Sequence, residues 1–111
     1  MELQAEQFQD VLVIRALQDR IDAACAIRFK DKMREMTQLD TRRVILDMSQ
    51  IAFIDSSGLG AIVAAMKALG PDRKLELSGL NHTVKKVFHL TRMDTIFHIH
   101  ERLPFGLAKA G

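Results

Sequence analysis

Val11-Leu12-Val13-Ile14 is four consecutive apolar residues, three of them β-branched, and it constrains the fold more than any other stretch. Such a run has no polar alternation, so as a strand it needs cover on both faces. Arg43-Val44-Ile45-Leu46-Asp47-Met48 repeats the pattern after a segment with helical spacing. In that segment Cys25, Phe29, Met33 and Met36 fall at i, i+4, i+8 and i+11. The spacing predicts a first helix that opens after Asp22 as N-cap and runs to about Gln38. Two buried-type strands joined through a helix describe a crossover and a largely parallel sheet.

The rest of the chain continues the alternation. Asp40-Thr41-Arg42 is a polar break. Ser49-Gln50 leads into the short apolar run Ile51-Ala52-Phe53-Ile54, which reads as a strand. Leu59, Ile62, Val63, Met66 and Leu69 then mark one wide apolar face of a second helix, stopped by Gly70-Pro71. Lys74 to Ser78 alternates polar and apolar residues as a strand. Asn81 is placed to cap a third helix that turns Val84, Val87 and Phe88 inward, with Lys85 and Lys86 in water. Ile96 to His100 is a last strand, and 102–111 is a tail or terminal helix. With 111 residues, 48% of them apolar and 27% charged, this is one α/β domain of four to five strands in a largely parallel mixed sheet with amphipathic helices. Its core is expected over about 8–101.

Several functions are disfavoured by what the chain contains. The formal charge is +2, acidic and basic residues are interleaved, and Trp and Tyr are absent. Nucleic-acid binding is therefore poorly supplied with either a basic stripe or stacking platforms. No apolar stretch approaches the roughly 20 residues that span a bilayer. The polar start of the chain lacks a signal-peptide pattern, so a cytoplasmic location is expected. The single cysteine, Cys25, reads as a buried thiol. His98 and His100 share a strand face but have no third ligand at suitable spacing, so no metal and no cofactor is expected. The methionines at 33, 36, 48 and 66 are core filler.

The chemistry concentrates in Asp55-Ser56-Ser57-Gly58-Leu59-Gly60, between the Ile51–Ile54 run and the second helix. Asp and Ser cap helices through side-chain oxygens, and glycine admits close approach of a backbone or a partner. A serine hydroxyl is thus presented at a helix N-terminus, where free N–H groups and the macrodipole favour negative charge. A nucleophile elbow is disfavoured, because Ile54 and Asp55 stand where Gly-x-Ser-x-Gly would begin. A triad would also have to draw on His82, His89, His98 or His100, all late in the chain.

Val44 to Ser49 followed by Ile51 to Gly60 resembles the core of STAS domains, and within these the bacterial anti-sigma factor antagonists. Leu77-Ser78-Gly79-Leu80 is similar to the family's third strand and its exit. The resemblance extends from the first strand to about Glu101. It implies a partner-switching protein and not an enzyme. The unphosphorylated form binds and sequesters an anti-sigma factor that is also a serine kinase. Phosphorylation at Ser57, with Ser56 as second choice, releases it, and a PP2C-type phosphatase restores it. The implied partner surface comprises Asp19, Arg20, Asp22, Asp55, Ser56, Ser57, Gly58, Leu59 and Gly60, on a monomer or weak dimer. Asp19 departs from the glycine often found there and adds a carboxylate to the partner-facing loop. The alternative is an unswitched STAS subunit of a lipid-transport or other multiprotein complex; the intact Ser56-Ser57 pair argues against it.

Overall fold

Five strands form one sheet with the spatial order β1-β2-β4-β6-β7, and three helices pack on one of its faces. The computed structural model describes residues 2–38 and 41–104 of the chain. Asp40 of the polar break and Gly106 of the tail lie outside the described residues. The strands are β1 (Leu3–Phe8), β2 (Val11–Ala16), β4 (Arg43–Asp47), β6 (Lys74–Ser78) and β7 (His98–His100). β2, β4, β6 and β7 pair in parallel, and β1 pairs with β2 antiparallel. The helices are α1 (Ala26–Met36), α2 (Ser56–Leu69) and α3 (His82–Leu90).

The two faces of the sheet differ in chemistry. On the helix side Leu12, Ile14, Val44, Leu46, Leu75 and Leu77 pack against Phe29 and Met33 of α1, Leu59, Ile62 and Ala65 of α2, and Val84 and Phe88 of α3. That is the main core. Period-2 alternation sends Val13 and Ile45 to the opposite face, where Leu103 covers them and Phe8 and Val11 flank them. The same face carries charge in paired form. Arg15 contacts Glu6 at 2.9 Å and Asp47 at 3.5 Å. Glu76 accepts two hydrogen bonds of 2.7 Å from Arg43 and lies 2.8 Å from Nε2 of His100.

Four sequence expectations need correction. β1 extends the sheet back to Leu3, so the core begins well before residue 8. At the other end the buried Leu103 belongs to the packed structure, not to a loose tail. Asp22 does not cap α1. Its side chain accepts the Ala24 N–H at 3.1 Å in a turn ahead of the helix, and Cys25 occupies the N-cap position without capping the helix through its side chain. The Ile51–Ile54 run forms only the two-residue strand β5 (Phe53–Ile54), which leaves the main sheet to pair in parallel with β3 (Arg20–Ile21). Other expectations are met: Cys25 is buried, and Gly70 ends α2 at φ 82°. Asn81 caps α3 through Val84 N–H at 2.8 Å.

Candidate functional site

The bridge between β3 and β5 is what builds the site. Its register sets Arg20 beside Phe53 and Ile21 beside Ile54. The Asp19 carbonyl accepts the amides of Ala52 at 2.7 Å and Phe53 at 3.2 Å, and the Ile21 carbonyl accepts that of Asp55 at 3.4 Å. The Asp19–Asp22 loop and the Asp55–Gly60 turn, more than thirty residues apart in sequence, are therefore joined by backbone hydrogen bonds.

Asp55 completes the joint with both carboxylate oxygens. Oδ1 accepts the Gly58 N–H at 2.8 Å, which caps α2 in the expected way. Oδ2 accepts the Ala23 N–H at 3.2 Å. Gly58 fits against the same loop: a Cβ there would lie 2.0 Å from the Ile21 carbonyl oxygen. The close approach that glycine permits at 58 is thus to the chain's own backbone and not to a partner. Gly58 and Leu59 are buried and hold the turn in place. Gly60 has open space around its α-carbon.

Ser56 and Ser57 are both exposed. They are the first two residues of α2. Gly58 N–H is taken by the Asp55 side chain, and Leu59 N–H donates to the Asp55 carbonyl at 2.9 Å. The amides of Ser56 and Ser57 remain as first-turn donors at the positive end of the helix dipole. An anionic group on Ser57 therefore has local N–H groups and a favourable field.

Around the two hydroxyls the surface mixes charge with one aromatic ring. Arg20 lies 3.4 Å from Asp22 and 4.0 Å from Asp19. Its guanidinium carbon is 5.4 Å from the centroid of the Phe53 ring, a cation–π contact, and Phe53 is 43% exposed. Phe53, Ala23 and the Ile21 carbonyl are parts of the site that sequence reasoning missed. The signal was slight, since a continuous apolar run such as Ile51–Ile54 does not say which of its residues faces outward.

The two large clefts, about 700 and 660 Å³, are lined by residues such as Met66, Pro71 and Phe97, and Arg42, Lys74 and His98. Neither includes residues of the 19–22 or 55–60 segments. His89 contacts Asp94 and His100 contacts Glu76, so neither is aimed at Ser57. No group of three metal-ligating side chains occurs among the described residues, and no helix among them is long and apolar enough to cross a membrane.

Comparison with known proteins agrees with this geometry. The STAS domain family model matches residues 2–105. The chain is 26% identical over 82 residues to the anti-sigma-B factor antagonist of Staphylococcus aureus, covering 73% of this chain and 76% of that protein. A crystal structure of an anti-sigma factor antagonist from Mycobacterium paratuberculosis superposes with a TM-score of 0.82 at 20% identity, over 92% of this chain and 86% of that one. The Bacillus cell fate determinant SpoIIAA in its phosphorylated form superposes with a TM-score of 0.60 at 23% identity, over 88% and 90% of the two chains.

Proposed function

The chain belongs to the STAS domain family, and from that premise we propose that it is an anti-sigma factor antagonist, switched by phosphorylation of Ser57. Its unphosphorylated form binds and sequesters an anti-sigma factor that is also a serine kinase, in the cytoplasm. The phosphorylated form lets that partner go, and a PP2C-type phosphatase resets the switch. What supports this reading is the placement of Ser57. It is exposed, on the first turn of α2, on a backbone braced by Asp55 and by the Ile21 carbonyl against Gly58.

Ser57 needs no activation of its own, because a kinase supplies the chemistry of phosphoryl transfer. It has only to present a hydroxyl on firm support. The phosphate adds about −1.5 to −2 charges and three acceptors. The open first-turn amides accommodate that charge in the free protein. A partner seated closely over the turn must instead desolvate it without a prepared counter-ion, at a cost of roughly 3–4 kcal/mol. At about 1.4 kcal/mol per decade, affinity falls by two to three orders of magnitude with no change of fold.

Intact-mass measurement tests the reading. Wild type and Ser57→Ala are each incubated with ATP and an extract of the source cells whose kinases are shown to be active. One phosphate on the wild type and none on Ser57→Ala is the expected result. A phosphate on both moves the site to Ser56 or elsewhere, and a phosphate on neither overturns the switch.

A further inference from the structure

The pleat of β5 that buries Ile54 turns Phe53, a large apolar residue, toward water. Its neighbours Ile51 and Ile54 are 1% and 3% exposed, while Phe53 is 43% exposed and stands outside the core cluster. Among the large apolar side chains exposed in the described residues, the others being Leu17, Ile27, Leu90 and Ile96, it is the aromatic one. It also lies four residues before Ser57, on the bridge that carries the Asp19–Asp22 loop.

The ring is held ready for contact. Arg20 sits over its face at 5.4 Å, and the guanidinium is itself tethered by Asp22 at 3.4 Å and Asp19 at 4.0 Å. Arg20 and Phe53 are register partners, so both project from one short stretch of paired backbone. An arginine already in contact with the ring and with two carboxylates has less conformational freedom to lose on association than a free one. Aromatic and arginine side chains of this kind supply a disproportionate share of interface energy.

We infer that Phe53, stacked under Arg20, is the recognition anchor by which the partner kinase engages this chain. The kinase then carries an apolar pocket for the outer edge of the ring, with a hydrogen-bond acceptor at its rim for the guanidinium. This rests on the proposed switch and deepens it. Ser57 carries the phosphate, and the Phe53–Arg20 pair supplies binding energy for the kinase that adds it. The pair provides binding energy common to docking and to phosphorylation, so its loss acts on substrate capture and not on the transfer step.

The test follows the initial rate of phosphate incorporation at Ser57 by intact mass, in active source-cell extract with ATP, over a range of antagonist concentrations. Phe53→Ala is expected to lower the rate about tenfold or more at limiting protein and to approach the wild-type rate at saturation. Phe53→Tyr retains the wild-type rate, as does Leu90→Ala, which removes an exposed apolar side chain from the end of α3. The melting temperature of Phe53→Ala stays within about 2 °C of wild type. Wild-type phosphorylation of Phe53→Ala at limiting protein overturns the anchor and leaves the switch standing. So does a rate loss accompanied by a large fall in melting temperature, or an equal loss in Leu90→Ala. Absence of phosphate on the wild-type protein overturns the switch and the anchor together.

Discussion

The α-carbon of Gly58 lies so close to the Ile21 carbonyl that a Cβ would stand 2.0 Å from its oxygen and 2.7 Å from its carbon. Both atoms are backbone and both belong to the bridge that holds the Asp19–Asp22 loop. Gly58→Ala therefore cannot be absorbed by a side-chain rotation. The helix propensity gained, up to about 1 kcal/mol, is outweighed by displacement of packed backbone, for a net loss of about 1–3 kcal/mol. Urea denaturation of the two proteins measures it.

Gly60, two residues on, gives the opposite sign. Nothing lies within 4 Å of a Cβ at that position, and it is inside α2. Gly60→Ala is expected to stabilise the protein by about 0.5–1 kcal/mol, because glycine loses more backbone entropy in a helix than alanine does. Thermal unfolding followed by circular dichroism checks it.

Asp55 ties two segments through two different amides, Gly58 at 2.8 Å and Ala23 at 3.2 Å. Asp55→Ala removes both bonds and is expected to cost about 2 kcal/mol, the upper range for a helix cap. Asp55→Asn keeps one side-chain acceptor. It is expected to preserve the cap while amide hydrogen exchange at Ala23 speeds up. Equal exchange at Ala23 in wild type and Asp55→Asn would sink this account of the joint.

Glu76 makes stability depend on pH. Burial pushes its pKa up, but the hydrogen bonds from Arg43 and from His100, with their charges, more than offset this and hold it at about 2 against an ordinary 4.5. A carboxyl depressed on folding contributes stability that is present above its unfolded pKa and is lost as pH falls through the folded one. The contribution therefore drains away between about pH 4.5 and pH 2. Glu76→Gln is expected to be less stable at pH 7 and to show a shallower loss across that window, measured by denaturant titration at stepped pH.

Phosphorylation of Ser57 is expected to leave the fold intact. The first turn of α2 has amides of Ser56 and Ser57 open to the new charge, and Asp55 remains engaged with Gly58 and Ala23. The melting temperature of the purified phosphoprotein should lie within a few degrees of the unmodified protein. A large drop would mean that the switch acts through local unfolding and not through a desolvated charge.

Much of this was legible along the chain. Leu12–Ile14 and Val44–Leu46 are buried, as continuous apolar runs with no polar alternation require, and the helix between them follows from 3.6-residue spacing. Asp55 and Asn81 cap α2 and α3 as residues of their type do at such junctions. β1 was hidden because Gln4, Glu6 and Gln7 dilute its apolar signal. Its hairpin also turns through Gln9 at φ 55°, without the Asn-Gly or Asp-Gly that marks such turns.

The sequence by itself determined the α/β class, the alternation of β2, β4, β6 and β7 with the three helices, the Asp55 cap beside the serines at the start of α2 and membership of the STAS domain family. Local periodicity and capping chemistry act within a few residues, and so they can be read from neighbours in the chain. Only the tertiary structure decided that Phe53–Ile54 abandons the main sheet for Arg20–Ile21, that Gly58 serves the protein's own Ile21, and that Asp55 reaches Ala23. Each of these is a contact between segments about thirty residues apart. Which backbone carbonyl meets which glycine depends on how α1 and α2 pack across the sheet, and no pattern of neighbours encodes that distance.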